Sequence, residues 1–484
     1  MFPAILSHMF MKTLLWVAAA AALQAQPYDV VIRNGRVMDP QTKLDAVRNV
    51  GIRGGKIAVV SPGPLDGKRV IDAQGLIVSP GFIDLHWHGR EPASDKYEAM
   101  DGVTSSLELE IGTADVDGWY RARAGKSMIH HGVSAGHPPV RMEVLHDTGD
   151  FLPADKGAFG KATDEDITRM KMRLEQELKK GAVAVGFVIA YTQSASYWEI
   201  LEMFRIAARY GASCHVHMRG SSSMTQGDAA PLQGLSEVIA AAAITGASLH
   251  VVHINSSSQG AIARTLQMVG EARAHGIDIT TEAYPYTAGA TRIESALFDD
   301  YADRKDVDFS KLQWVATGER LTRDSFLKYR KERGIVIVHS NSEENVRKAV
   351  TSPLAMVASD GFDITANGHP RSAGTFTKVL RQYVREEKAI TWMDALSKMT
   401  DQPARRLEKR VPAMQGKGRI QAGADADIAV FDPETVSDVS TYEKPAQAAT
   451  GMKFVLVGGV LVVDGGKPVD GVYPGKPIRA AINN

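Results

Sequence analysis

The distribution of apolar and polar positions divides the chain into two textures. Toward the amino end, short alternating runs are separated by tight-turn signals. Asp29-Val30-Val31-Ile32 leads into Asn34-Gly35 and Arg36-Val37-Met38, and Asn49-Val50-Gly51-Ile52-Arg53 leads through Gly54-Gly55 into Lys56-Ile57-Ala58-Val59-Val60. Period-two alternation on both sides of a short turn marks β-hairpins. The texture returns near the other end, in Asp427-Ile428-Ala429-Val430-Phe431 and in Phe454-Val455-Leu456-Val457, Gly458-Gly459 and Val460-Leu461-Val462-Val463. The pattern predicts a small β-sandwich domain formed by both termini, residues 26–76 and 415–484, bracketing a different middle.

Over that middle, 77–414, apolar strands alternate with amphipathic helices. Thr163 is placed to cap a helix over 164–180, acidic in its first turn, basic in its last and closed by Gly181. A buried strand over 182–189, a helix over 197–210 and a strand over 213–217 follow. Ser236 is expected to cap an Ala-rich helix ending at 245, before a strand over 248–253, a helix over 259–275 and a strand over 277–281. Repeated units of this length imply a parallel sheet, and eight of them close a TIM-like (β/α)8 barrel. The candidate barrel strands end near His88, Glu110, His137, Ala190, His217, His253, Glu282 and Asp360; residues 299–335 break the rhythm and read as an insertion. The fold class is therefore α/β, a barrel with a small β domain attached.

Charge changes this picture by exclusion. Lys plus Arg and Asp plus Glu number 56 each, so no global charge draws the chain to nucleic acid or anionic lipid, and a small-molecule partner is the default. Assembly into a homo-oligomer stays open. Residues 1–25 differ from the rest: Met11-Lys12 and an apolar run over 14–23 precede Ala25-Gln26. The run is shorter than the roughly 20 residues of a spanning helix. It reads as a signal peptide cleaved after Ala25, giving an exported, periplasmic or secreted protein with no membrane span after cleavage. The lone Cys214 excludes an intramolecular disulfide.

Candidate chemistry begins at Gly81-Phe82-Ile83-Asp84-Leu85-His86-Trp87-His88-Gly89. Alternate residues of a strand share a face, so His86 and His88 project together, and neutral imidazole is the commonest metal ligand. Barrel enzymes keep their functional groups at the carboxyl ends of strands. His217, His253 and Asp360 stand at such ends, and this nitrogen and oxygen set suits Zn first, with Mn, Co or Fe possible.

At these positions the chain resembles the amidohydrolase superfamily, and within it the N-acyl-D-amino-acid deacylase (D-aminoacylase) group. The carriers are the His86-Trp87-His88 segment, Gly102-Val103-Thr104, His217-Met218-Arg219, Tyr284-Pro285-Tyr286-Thr287-Ala288-Gly289, Ser359-Asp360-Gly361, His369-Pro370-Arg371 with Gly374-Thr375-Phe376, and Gly423-Ala424-Asp425-Ala426-Asp427-Ile428. The resemblance implies one or two Zn ions. His86 and His88 would hold one, His217 and His253 the other or the only tightly held one, and Asp360 would be the catalytic acid/base as well as a ligand. It implies substrate contacts from Arg371, Tyr284 and Tyr286.

Two departures stand out. The family's bridging Cys is missing from the second strand, where Glu110 is expected to bridge, with Glu108 in reserve. The family's carboxylate-binding Lys is replaced by Asn255, which could still donate an amide hydrogen bond; Arg219, Arg292 and Arg141 are weaker substitutes. The expected reaction is metal-dependent hydrolysis of a non-peptide amide, most simply deacylation of an N-acyl-D-amino acid to a carboxylate and a D-amino acid, with a Tyr284 or Tyr286 hydroxyl beside the oxyanion. A cyclic-amide (hydantoin- or dihydroorotate-like) or dipeptide hydrolase using the same site is the alternative. A non-catalytic periplasmic binding protein is the remote one.

Overall fold

A computed structural model describes residues 27–220, 229–364 and 367–482; the expected signal peptide lies outside them. Eight parallel strands form the core of the middle region: β1 (Phe82–Asp84), β2 (Val103–Thr113), β3 (His130–Gly136), β4 (Val185–Val188), β5 (Cys214–His217), β6 (Leu249–Val251), β7 (Ile279–Ala283) and β8 (Ala355–Val357). Each pairs with the next in sequence order. The strands are short and apolar because helices cover the outer face and packed side chains fill the inner one. Between β8 and β1 the ladder gives way to a single bridge pairing Trp87 with Gly361, in which the His88 N–H donates to the Gly361 carbonyl at 2.8 Å. Ser359 reinforces this seam, its amide donating to Asp84 Oδ1 at 3.1 Å and its hydroxyl to the other carboxylate oxygen.

β2 carries a bulge: the register advances from Glu108 to Thr113 on β2 while β3 advances only from Val133 to Ala135. Extra residues in one strand bend it and re-aim its side chains, and here they are the strand's two glutamates.

Local sequence signals hold where capping decides the boundary. The helix Asp164–Lys179 has a full capping box between Thr163 and Asp166, and Gly181 follows at φ +90°. Two expectations need correcting. The Ala-rich helix runs Ala229–Thr245, so Ser236 lies inside it, its hydroxyl donating to the Leu232 carbonyl one turn back at 2.8 Å. The strand expected at 277 begins at Ile279, because the Ile277 N–H closes the preceding helix against the Ala272 carbonyl.

The insertion between β7 and β8 is wider than the sequence suggested. It begins with the strand Ala288–Arg292, which pairs with Ile335–His339, in turn paired with Leu312–Trp314, and the helix Arg323–Glu332 completes it. Phe298, Tyr301, Trp314 and Phe326 give it a core of its own.

Both ends of the chain form one nine-stranded sheet. It curls so that Val30, Ile52 and Ile57 from its first strands share a core with Ile428, Val430 and Leu456 from its last. Buried Asp427 joins the sheet to the barrel: its carboxylate lies 2.6 Å from Lys417 Nζ and 3.1 Å from His130 Nε2 at the start of β3, and accepts from the Gly458 N–H at 2.7 Å. No helix among the described residues is long and apolar enough to cross a membrane.

Candidate metal centre

Five strand ends bring six donor side chains to one point at the barrel mouth. His86 and His88 follow β1 on alternate positions, with their Nε2 atoms 3.0 Å apart. His217 ends β5 and His253 follows β6, with His217 Nδ1 3.1 Å from His253 Nε2. His253 and Asp360 both sit at positive φ, +32° and +53°, conformations rare for residues with side chains and typical of functional sites.

Glu110 stands between the two histidine pairs. Its Oε1 is 2.9 Å from His217 Nδ1 and 3.0 Å from His253 Nε2, while its Oε2 is 3.4 Å from His86 Nε2 and 3.3 Å from His88 Nε2. Asp360 Oδ1 lies at 3.4 and 3.3 Å from those same two nitrogens. One carboxylate thus offers an oxygen to each pair.

A second layer fixes the rings. Glu282 of β7, buried, places one oxygen 2.5 Å from His86 Nδ1 and the other 2.9 Å from His250 Nε2. Glu108 lies 2.6 Å from His88 Nδ1, and its other oxygen accepts from the Ile111 and Gly112 amides. His253 Nδ1 is 2.9 Å from Ser257 Oγ. Glu108 is therefore not the reserve bridge: the bulge turns both its oxygens away from the centre. Glu282 was seen in the sequence only as a strand end. Its position two residues beyond Thr280, on the barrel-inward face, was the signal for a role.

These donors fit divalent ions. Three of the four imidazoles have their outer nitrogen held, which leaves inner nitrogens converging with carboxylate oxygens. A tetrahedral Zn site with bonds of about 2.0–2.1 Å has ligand separations of roughly 3.3–3.4 Å; the His86 and His88 nitrogens lie 3.0 Å apart, and each is 3.3–3.4 Å from Glu110 Oε2 and from Asp360 Oδ1. His217, His253 and Glu110 form a three-donor set beside it. Electrostatics agree. Burial opposes ionisation of Glu110, yet the surrounding histidines hold its carboxyl well below the usual range. Burial likewise opposes a charged His86, but Asp360, Glu110 and Glu282 pull it well above the ordinary histidine value. This is a pocket of negative charge prepared for cations.

The substrate side differs from expectation at two residues. The Asn255 side chain is fully buried and committed to the backbone of Tyr284, donating to its carbonyl at 3.1 Å and accepting from its N–H at 3.3 Å, so it offers nothing to a ligand. Tyr286 turns toward the Pro370 carbonyl and packs on His369, outside the cleft. Tyr284 does line the cleft. Arg371 is fully buried, with Nη1 2.8 Å from Asp360 Oδ2 and the guanidinium between the Tyr284 and Phe362 rings. None of its nitrogens meets hydrogen-bond geometry with a partner among the described residues. Arg219, Arg292 and Arg141 pair with Glu237, Glu294 and Glu199 and are structural. Tyr191 lines the cleft as well: its ring meets that of His217 at 5.2 Å and its hydroxyl oxygen is 2.7 Å from Thr291 Oγ1. Burial pushes its phenol far above the usual range, so it remains a proton donor. It follows β4 in a run with no motif, which is why the sequence did not mark it.

Fold and site together define a metal-dependent hydrolase on a (β/α)8 barrel. Comparison with known proteins adds the lineage. The amidohydrolase family pattern matches residues 141–463. The chain is 30% identical to an N-acyl-D-glutamate deacylase of Alcaligenes xylosoxydans xylosoxydans, over 93% of this chain and 96% of the relative, and 26% identical to a D-aminoacylase of the same organism, over 90% and 95%. The crystal structure of N-acyl-D-glutamate deacylase from Bordetella bronchiseptica, complexed with zinc and a phosphonate inhibitor, superposes with a TM-score of 0.81 at 26% identity, covering 94% of this chain and all of that one. This chain belongs to the amidohydrolase family and is a metal-dependent C–N hydrolase.

Proposed function

We propose that the chain deacylates N-acyl-D-amino acids at a zinc centre held by His86, His88, Glu110 and Asp360 on one side and His217, His253 and Glu110 on the other. The observation that carries this is the placement of Asp360, which faces the histidines through Oδ1 and Arg371 through Oδ2. A carboxylate so placed stands between the hydrolytic centre and a buried cation able to attract a substrate carboxylate. The deacylase relatives support the N-acyl-D-amino acid as substrate class, and the zinc in the Bordetella structure supports the choice of ion.

A divalent ion held by these residues would acidify water and polarise a carbonyl. Asp360 accepts the proton of the attacking water as the water oxygen bonds to the acyl carbon. It then delivers the proton to the amide nitrogen as the C–N bond breaks, leaving a carboxylic acid and an amino acid. Tyr191 donates a hydrogen bond to the oxygen that gains charge, and Arg371 holds the carboxylate of the amino-acid half, with Tyr284 flanking it. Purified zinc-loaded protein should hydrolyse N-acetyl-D-amino acids and spare their L enantiomers, hydantoins and dipeptides. Turnover of hydantoins in place of the D-amides would overturn the assignment. We also propose export directed by residues 1–25: mature protein from the periplasm should begin at Gln26, and intact protein confined to the cytoplasm would refute it.

A further inference from the structure

The departure at Asn255 changes the charge of the cleft. No described Lys or Arg lines it: Arg371 is buried against the Tyr284 and Phe362 rings, and Asn255 is spent on the Tyr284 backbone. Beyond Asn255, three other side chains form the wall on the β6 and β7 side. Ser256, Gln259 and Ser340 are half-buried and line the same cleft as Tyr284, which has about 90 Å³ of free room. Gln259 is held there in a strained conformation. It closes the one-turn helix Ile254–Ser258 at φ +41°, in the region that favours glycine and that other residues occupy chiefly at ligand sites. Its Nε2 donates to Ser340 Oγ at 3.2 Å, and no described residue donates to its Oε1. Next to Ser340, Asn341 donates through Nδ2 to the Asn255 carbonyl at 2.7 Å and through its N–H to the Thr287 carbonyl at 2.9 Å. The insertion thus fastens the loop after β6, and Gln259 and Ser340 are fixed as a pair.

This wall has both polarities and no charge: the Gln259 oxygen accepts, and the Ser256 and Ser340 hydroxyls donate or accept. A carboxylate brought against it would lose water without gaining a counter-ion, and an alkyl chain would leave its hydrogen bonds unmade. A primary carboxamide, with two N–H donors and an acceptor oxygen, matches it. On the deacylase reading, on which this inference rests, Arg371 and Tyr284 take the α-carboxylate and the scissile amide lies beside Asp360. The side chain of the amino-acid half is then left to meet the adjoining β6 wall. We propose that Gln259 and Ser340, with Ser256, form a specificity subsite for a side-chain carboxamide, so that N-acyl derivatives of D-glutamine or D-asparagine are the preferred substrates.

The test uses the zinc-loaded full chain in two arms. The first measures kcat/KM for the N-acetyl derivatives of D-glutamine, D-glutamate and D-methionine, and of D-asparagine, D-aspartate and D-leucine. The second measures calorimetric affinity for the free D-amino acids of both sets, which are the products of the reaction and need no turnover. In the set whose length fits, the carboxamide should lead its charged and apolar counterparts about tenfold in each arm, the yield of one to two neutral hydrogen bonds. Gln259→Lys should reverse the lead in favour of the carboxylate, whereas Gln259→Glu should keep the carboxamide first and lower the carboxylate further. A carboxylate or apolar lead in both sets of the wild-type chain would overturn the subsite, as would an order that neither variant moves while both keep their zinc content and Tm. Should the variants fail to fold, the wild-type order still decides. The arms separate the two readings: tighter binding of the free carboxamide with no turnover of any N-acyl-D-amino acid would defeat the deacylase assignment alone, whereas turnover with the charged or apolar member ahead would defeat the subsite alone.

Discussion

Replacing Glu282 by Gln probes the link between barrel interior and metal site most directly. Glu282 does not reach the centre; it holds His86 Nδ1 at 2.5 Å and His250 Nε2 at 2.9 Å from full burial. Gln fills the same space and its amide oxygen still accepts from His86, but the charge is gone. A hydrogen bond to a charged group contributes about 1.5–3 kcal/mol against about 1 for a neutral one, so His86 should lose roughly 1–2 kcal/mol of orientation and basicity. That corresponds to a five- to thirtyfold weaker ion at the His86–His88 position, near the roughly 10–100-fold seen when outer-shell partners of metal ligands are lost. The His217–His253 position shares no contact with Glu282 and should keep its affinity. Titrating apoprotein with zinc against a chromophoric chelator resolves the two steps. Equal weakening of both steps, or a lower Tm with neither step changed, would show that Glu282 only supports the fold.

Other outcomes follow from the same geometry. Asp360→Asn should retain zinc while kcat falls by about 10²–10⁴, the usual contribution of a positioned acid/base; full activity with zinc bound would remove Asp360 from the mechanism. Glu110→Ala should weaken metal binding at both donor sets, read as a lower metal content after dialysis by elemental analysis, because both sets share that carboxylate. Burial opposes the charged Asp427, yet Lys417 and then His130 hold its carboxyl far below the usual range. A folded-state value below the unfolded one means stability that is present above about pH 4 and lost as the pH falls further. Asp427→Asn should therefore destabilise the chain by about 3 kcal/mol at pH 7, with the gap to wild type narrowing in melts below pH 4; a gap independent of pH would contradict the pairing.

Most of the fold was legible because its signals are local. The Thr163 cap, the Gly181 stop and the His86-x-His88 strand end each depend on a few neighbouring residues, and each stands where the pattern put it. What escaped depends on contacts distant in sequence. Asn255 occupies the position of a substrate lysine, but whether its amide faces a ligand is decided by the Tyr284 backbone 29 residues on. Glu108 and Glu110 are indistinguishable as alternating strand residues, and only the bulge against β3 separates the ring-holding glutamate from the one between the histidine pairs. Tyr191 becomes visible only once β4 and β5 lie side by side.

The seam between β8 and β1 has a consequence for how the protein is made. His86 and His88 lie on one side of it and Asp360 on the other, joined there by the Trp87–Gly361 bridge. A growing chain exposes the His217, His253 and Glu110 donors some hundred residues before Asp360 exists. The His217, His253 and Glu110 donors come from β2, β5 and β6 alone, whereas the donor set that includes Asp360 needs the last strand docked against the first. Filling it would fasten the two ends of the barrel sheet, so this ion would report that the barrel has closed.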